Sequence, residues 1–506
     1  MTTLVRPVRT SAGPRPRRAG AVALTVVVVA ALVWPAVGRV VGRASNAPPD
    51  VVPLLLGVLL VPAVVLVTSV AATRFSLAWS SYWLWSFVFL GLAPAYQVAL
   101  GVYPWLATFD ERTLQRALTA VLLSHVAVLT VSRTTRRRRR ATPQPSGIEG
   151  THRLPVLGAA PRLATYLRWI TLAHVVGTLA FIALMGPAGL TQGRNAFRIH
   201  LLEVAGLPGG GSLHFLASAG AVAVPALALA CRRAGVEVNP FLLAASIGVG
   251  AVVTNPLIGS RFLTGAFAVA VAGAALLGRD SARFLPAGIV VLLVTVFPSL
   301  DLFRGDGTGA STLALAEPAD ALLAFDFDAF EMLARAVLVH DGADDLLDPG
   351  MMLAAPWLRW VPVASNWVVD AASGPLVARS SGMGYTNVSM PLVGEGYLVG
   401  GLLGVVAFLG LLGVWLVRLR TSSGSVTGWA RSAALLDAPT AALLFIVLRG
   451  SLYEVLGYLL FVLALYLAVQ RAVRPGKAAA AERGAGPAPV AATTPAAAST
   501  LVGFRS

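Results

Sequence analysis

Residues 21–37 read Ala21-Val-Ala-Leu-Thr-Val-Val-Val-Val-Ala-Ala-Leu-Val-Trp-Pro-Ala-Val37, with Arg15, Arg17 and Arg18 just before them and Arg39 just after. An uncharged run of this kind between arginines suits a helix that crosses a bilayer, whose hydrocarbon core takes about 20 apolar residues. A basic start ahead of an apolar core also fits a signal peptide. Trp34-Pro35 and Gly38-Arg39 make no small-residue cleavage site, so the run is read as a retained first helix.

The same pattern recurs along the chain, at residues 51–71, 77–98, 114–132, 163–184, 213–230, 241–257, 262–277, 285–300, 397–417, 433–448 and 453–469. The chain is 57% hydrophobic and only 12% charged, with a mean hydropathy of +0.76. A soluble globular chain carries about 25% charged residues. What charge remains is gathered between the apolar blocks, as it must be in a chain threaded repeatedly through lipid. The expectation is an all-α fold: a polytopic membrane helical bundle of about 12 transmembrane helices. This excludes the several soluble domains that 506 residues would otherwise suggest.

The formal net charge of +16 invites a nucleic-acid reading, but almost all the basic residues are arginines flanking apolar blocks, and Lys477 is the only lysine. The tract Arg136 to Arg140 is better read as a topology signal against anionic headgroups, so no nucleic-acid partner is expected. Cys231 is the single cysteine, which rules out an intrachain disulfide. With the N-terminus inside, the cytoplasmic connections hold Arg74, Arg133 with the Arg136–Arg140 tract, Arg232, Arg233, Arg279, Arg283, Arg418 and Arg420. Arg39 and Arg43 fall outside and count mildly against this orientation. The expected organisation is a disordered basic cytoplasmic N-terminus at 1–20 and a transmembrane bundle at 21–472. Within the bundle lie a basic cytoplasmic loop at 133–162 and a large extracytoplasmic loop at about 301–394, between the ninth and tenth helices. A disordered cytoplasmic tail at 473–506 follows. Both termini are expected to be cytoplasmic.

Long loops are usually functional or disordered. The large loop carries Asp326-Phe-Asp328 with Glu331, then Asp341, Asp344, Asp345 and Asp348. It also carries Pro356-Trp-Leu-Arg-Trp-Val-Pro362 and the turn-rich Ser380-Ser-Gly-Met-Gly-Tyr-Thr-Asn387. Tryptophans, paired charges and prolines together predict a loop that folds against the bundle and forms a site. A second connection, residues 186–211, holds Arg194, Arg198, His200 and Glu203.

The stretch Thr386-Asn-Val-Ser-Met-Pro-Leu-Val-Gly-Glu-Gly-Tyr-Leu-Val-Gly-Gly-Leu-Leu-Gly404 resembles the segment that closes the large loop of Wzy-type O-antigen (oligosaccharide repeat-unit) polymerases. There a polar turn runs into Gly-Glu-x-Tyr and a Gly-rich helix. Gly259-Ser-Arg261, Phe303-Arg304, Leu448-Arg449-Gly450 and Asp326-Phe-Asp-Ala-Phe330 are similar to shorter motifs of that family. A Trp-Pro-x-Lys-Pro stretch found in many members is replaced here by Arg359-Trp-Val-Pro362. The resemblance implies a bacterial cell (inner or plasma) membrane enzyme, a glycosyltransferase. It would join undecaprenyl-diphosphate-linked glycans on the extracytoplasmic face during O-antigen, capsule or exopolysaccharide synthesis. It implies inversion at the anomeric carbon and no cofactor. The partners it implies are the bilayer, a flippase and a chain-length regulator.

Such chemistry needs fixed cations near a diphosphate and one base near a sugar hydroxyl. Arginine suits the first task, being always charged and presenting a planar fork to phosphate oxygens. Arg261, Arg304, Arg359, Arg379 and Arg449 all lie on the face that the positive-inside tendency disfavours. Asn387 and Tyr397 are further candidates for substrate binding. Glu395, where loop meets membrane, is the first choice of base, with Asp326, Asp328 and His340 second; no metal site is expected. The structural alternatives stay open. Arg261 and Arg449 also suit headgroup contact, Arg359 beside Trp360 suits a stacked structural role, and Asp326 and Asp328 suit a helix start. Glu395 suits a structural ion pair with an arginine, and Gly400 and Gly404 have the spacing of close helix packing.

Three other functions fit a membrane bundle less well. A metal-dependent lipid-linked glycosyltransferase would want acidic residues in an early large loop, where Asp110-Glu111 is the only candidate. An O-antigen ligase resembles this layout but carries a histidine ahead of the Gly-rich helix, where this chain has Tyr385-Thr-Asn387. A transporter would bury ionisable residues at mid-membrane and often shows duplicated halves; Asn255, Asp437, His125 and His174 are the only candidates.

Overall fold

A computed structural model describes residues 16–140, 161–191, 194–207, 210–256, 261–298, 317–342, 347–359, 368, 371–384, 388–422 and 434–473. Among these the regular structure is helical throughout, with no strand. The helices are α1 (Pro16–Val41), α2 (Val52–Ala71), α3 (Leu77–Leu100), α4 (Glu111–Arg140), α5 (Pro161–Thr191), α6 (Arg194–Gly206), α7 (Gly210–Arg233) and α8 (Pro240–Val253). They continue with α9 (Arg261–Ala275), α10 (Leu285–Val291), α11 (Ala329–Asp341), α12 (Pro349–Leu358), α13 (Ser373–Ser380), α14 (Leu392–Ser422), α15 (Asp437–Val447) and α16 (Leu452–Val473). Eight of the described helices, α1 to α5, α7, α14 and α16, are long and apolar enough to cross a membrane. Three apolar helices, α8, α9 and α15, are shorter. Among the described residues every apolar run read from the sequence meets one of these helices, the run at 285–300 through α10 and the π-helical turn after it. Residues 257, 299, 300 and 433 of these runs lie outside the described residues.

Backbone polarity explains the choice of helix, since in lipid only a helix or a closed barrel satisfies its own amides and carbonyls. Helix α1 starts at Pro16, so residues 16–20 extend the first helix. Helix α4 continues through the arginine tract to Arg140, where a flexible loop from residue 133 was expected.

Side-chain contacts show how the helices run. At one end, the Asn46 amide donates to the Leu100 carbonyl at 2.9 Å, the Arg261 guanidinium to the Phe297 carbonyl at 3.0 Å, and the Leu392 N–H to the Leu448 carbonyl at 3.3 Å. At the opposite end, Arg18 donates to the Ala71 carbonyl, Arg283 donates to the Ala72 carbonyl at 2.8 Å, and Arg420 lies 4.9 Å over the Trp79 ring. There too the Asp437 carboxylate accepts from the Ser76 hydroxyl and the Leu77 N–H, each at 2.6 Å. Thus α1, α2, α3, α14 and α15 each run from one end to the other, as does the stretch from Arg283 through α10 to Phe297. Helix α9 starts at Arg261 and brings Gly273 to Leu77 and Ala438 at the opposite end.

Helix α3 is the central post: every residue from Leu77 to Phe87 is buried. Close approach to it depends on glycine. A Cβ on Gly91 would come within 2.9 Å of the Val58 carbonyl of α2, and one on Gly273 would reach Leu77 at 2.5 Å and Ala438 at 3.0 Å. In a bilayer, where lipid tails are as apolar as leucine, such small-residue contacts carry much of the helix association. A π-helical turn at Val88–Leu92 sits inside α3, and a second, Leu292–Val296, follows α10. Insertions of this kind are frequent at functional sites. Here both lead into the same end of the bundle. The first aims Phe89 at Phe327, stacked at 5.1 Å, and the second presents Phe297 to Arg261.

The described parts of residues 301–394 are helical pieces packed on that end. A one-turn helix at Pro318–Ala321 and a 3-10 turn at Phe325–Phe327 lead into α11, whose inner face is buried against α14, α4 and α13. The Gly-rich segment is not one straight helix. Gly400 (φ −161, ψ 30) and Gly401 (φ 56, ψ −143) break α14 into two arms at a sharp corner. The arms fold so tightly that a Cβ on Gly404 would lie 2.0 Å from the Gly396 carbonyl oxygen. Gly404 therefore packs against its own helix, and Gly400 is a joint; their spacing had suggested a face for a neighbouring helix.

Candidate functional site

Two arginines from different bundle elements converge on the short acidic segment ahead of α11. Arg261, the first residue of α9, forms an ion pair with Asp326 and lies 5.1 Å over the Phe297 ring. Both side chains of this pair are only 2% exposed. Arg449, in the connection between α15 and α16, lies 4.1 Å over the Phe262 ring. It donates at 3.4 Å both to Asp328 Oδ1 and to the Phe325 carbonyl.

Asp328 precedes α11, yet its carboxylate does not cap that helix. It accepts instead from the Ser389 hydroxyl at 2.5 Å, from Trp105 Nε1 at 3.1 Å and from Arg449. One turn on, Glu331 accepts the Trp105 backbone N–H at 2.7 Å and is gripped by Arg335, whose Nε and Nη2 lie at 3.1 and 2.8 Å. Arg335 Nη2 also reaches the Trp105 carbonyl at 3.3 Å. Burial pushes the Glu331 carboxyl above its ordinary pKa, opposed by the Trp105 N–H and the Arg335 charge. Gln97, near the end of α3, donates to the Leu322 and Phe327 carbonyls at 3.0 and 2.9 Å, which fastens the segment to the central post.

Magnitudes separate the two arginines. Removing one partner of a fully buried ion pair leaves an uncompensated charge and costs about 3–5 kcal/mol. Arg261 and Asp326 therefore hold α9 to the acidic segment, and neither is open to a ligand. The Arg449 side chain is 20% exposed, and Phe325 beside it is 54% exposed. The guanidinium of Arg449 is thus the positive charge of this cluster that has an open edge, and Asp328 is the carboxylate directly beneath it.

Glu395 lies in the first turn of α14, on the other side of the 448–451 connection. It is buried, and its Oε1 accepts from the Ser373 hydroxyl at 2.6 Å and from the Leu452 N–H at 2.7 Å; Ser373 also lies 2.9 Å from the Ser451 hydroxyl. The carboxylate holds α13, α14 and the start of α16 together. No ion pair to Glu395 occurs among the described residues. Glu395→Gln keeps the accepting oxygen, whereas Glu395→Ala leaves the Leu452 N–H without its acceptor and the Ser373 hydroxyl with Ser451 alone, at about 1–3 kcal/mol. Thermal unfolding in detergent is expected to leave E395Q near the parent and to lower E395A clearly; equal losses would remove the bracing role.

The other sequence candidates are dispersed. Arg359 ends α12, donates to the Tyr453 carbonyl and stacks 4.4 Å over the Tyr453 ring, as a structural arginine does. Arg379 is exposed on α13. Tyr397 donates to Asp341 at 3.4 Å, beside the Arg116–Asp341 ion pair and the His340 ring at 5.2 Å. Arg304 and Asn387 lie outside the described residues. Among the described residues no group of three His, Cys, Asp or Glu is arranged to hold a metal ion.

Sequence reasoning passed over Trp105, Arg335, Gln97, Ser373 and Ser389. Of these, Arg335 was legible, four residues after Glu331 on one helix face. No family model, curated protein or solved structure matches the chain.

Proposed function

We propose that this protein is a membrane glycan polymerase that joins undecaprenyl-diphosphate-linked oligosaccharide repeat units on the extracytoplasmic face of a bacterial cell membrane. The observation that supports the reading is the convergence of Arg261 and Arg449 on Asp326-Phe-Asp328, with Arg449 open at the edge. Three of the motifs that resemble the repeat-unit polymerases, those of Arg261, Asp326-Phe-Asp328 and Arg449, meet there, joined by Ser389 of a fourth. In this reading about 12 helices cross the membrane, and the arginine-rich end with Arg18, Arg283 and Arg420 faces the cytoplasm along with both termini.

The step is a glycosyl transfer. A hydroxyl oxygen of the incoming lipid-linked unit attacks the anomeric carbon of the growing chain from the face opposite the diphosphate. A new carbon–oxygen bond forms, the bond from that carbon to the diphosphate oxygen breaks with its electron pair, and the configuration inverts. Arg449 offsets the charge that grows on the departing lipid diphosphate, which is where a fixed cation helps most. The hydroxyl proton passes to a carboxylate. We assign that task to Asp328 because it is the carboxylate paired with Arg449. Its side chain is itself only 2% exposed, so the hydroxyl reaches it by displacing Arg449 or Ser389. Glu395 positions the surrounding helices. Arg304, outside the described residues, is retained in this reading as a second arginine on the strength of its motif alone.

The test is the size distribution of surface and lipid-linked glycan in cells with and without the protein. The expected result on deletion is loss of the long-chain ladder with single repeat units retained on their carrier. Long lipid-linked chains that fail to reach a final acceptor would show a ligase instead. An unchanged profile would end the polymerase reading.

A further inference from the structure

The connection between α3 and α4 carries a feature that the transfer step does not use. Leu106 is the one described non-glycine residue with positive φ, at 55°, and it is 87% exposed. A bulky residue held in the left-handed region is strained, and such strain persists only where the surroundings over-determine it, commonly beside ligands. The surroundings here are those of Trp105. Its Nε1 is bonded to Asp328, its N–H to Glu331 and its carbonyl to Arg335, so the indole has little freedom. The Trp105 ring meets the Phe325 ring at 4.6 Å and 47°, and Phe325 is 54% exposed beside the open edge of Arg449. An aromatic pair with one exposed ring thus lies beside the open edge of the Arg449 guanidinium.

We infer that Phe325 and Trp105 form a saccharide-stacking platform that seats a sugar ring of the glycan beside Arg449. The inference rests on the glycan-polymerase reading and names the part of the substrate that this edge takes. A pyranose offers an apolar face of C–H groups rimmed by hydroxyls, and this edge offers the complement: an exposed aromatic ring with the Arg449 guanidinium beside it. A tryptophan that anchors a protein at the lipid headgroups turns its N–H outward to the wet interface. That of Trp105 is spent inward on Asp328. The Leu106 backbone turns the chain beside the platform and presents an exposed side chain there.

Phe325 is the residue to vary, because it is exposed and its ring braces nothing by hydrogen bonds. The full-length protein in detergent is mixed with oligosaccharide released by mild acid from the lipid carriers of the same cells, and saturation transfer from protein to sugar protons is read by NMR. Transfer to ring C–H protons is expected for the parent and for Phe325→Trp, which keeps a π face. A loss of at least tenfold is expected for Phe325→Ala and Phe325→Leu. Leucine decides the matter, since it preserves apolar contact with lipid but not stacking. Binding equal to the parent in F325L, or no transfer with the parent protein, overturns the platform. Failure of the polymerase reading registers separately, as an unchanged glycan ladder in the deletion strain.

Discussion

Arg449→Ala is expected to reduce polymer by about 100-fold or more, the usual effect of removing one group that stabilises charge developing in a transition state. The fold should survive the change. Asp328 keeps the Ser389 hydroxyl and Trp105 Nε1 as donors, so its carboxylate is not stranded. The stability loss should stay near 1.5–3 kcal/mol, about the worth of a hydrogen bond to a charged group. Arg449→Lys keeps the charge but loses the planar fork, and should recover only part of the activity. Polymer length and amount, measured at matched protein level, check both variants. Undiminished polymer in R449A would take Arg449 out of the site. The same substitution at Arg261 would not be informative, because its pair with Asp326 is fully enclosed. Arg304→Ala, at the start of the large loop, should likewise abolish polymer at normal protein level.

The second large effect is on the corner of α14. In Gly404→Ala the new methyl would lie 2.0 Å from the Gly396 carbonyl oxygen, a backbone atom that can move only if the two arms part. A loss of about 3 kcal/mol or more is expected, at the upper end for overpacking. Glu395 would be carried away from Ser373 and Leu452, and activity would fall with it. Gly410→Ala is the control, on the same helix and with nothing within 4 Å of its added carbon. There the substitution should be neutral or slightly stabilising, since alanine suits a helix better than glycine. Thermal midpoints in detergent and yield in membranes separate the two, and equal behaviour would sink the tight-corner account.

The helical bundle was legible because lipid forces the chain to write each crossing as an uninterrupted apolar run. Each such run lies on a helix, although α8, α9 and α15 are shorter than the runs suggested. The corner was not legible in the same way. A Gly-Gly pair inside an apolar block reads equally as a packing face, and only the left-handed backbone at Gly401 distinguishes the two. In the site, Arg261 and Arg449 stood out as arginines on the face that the positive-inside tendency disfavours, and Asp326 and Asp328 as an acidic pair within the long loop. Which carboxylate meets which arginine was beyond the sequence, since the partners lie 65 and 121 residues apart. Trp105 was missed for another reason: tryptophan just beyond a transmembrane helix is ordinary at a membrane surface, and nothing local marks one that turns inward.

The grip of Asp437 on the first turn of α3 bears on how the protein is made. Ser76 and Leu77 leave the ribosome 361 and 360 residues before the carboxylate that receives their hydrogen bonds. Until then the buried post lacks both its N-terminal acceptor and the α15 wall beside it. Insertion can therefore proceed helix by helix, but closure around α3 must wait for nearly the whole chain. A nascent chain stopped before residue 437 would leave the Leu77 and Ala78 N–H groups without this acceptor and that flank of α3 without α15.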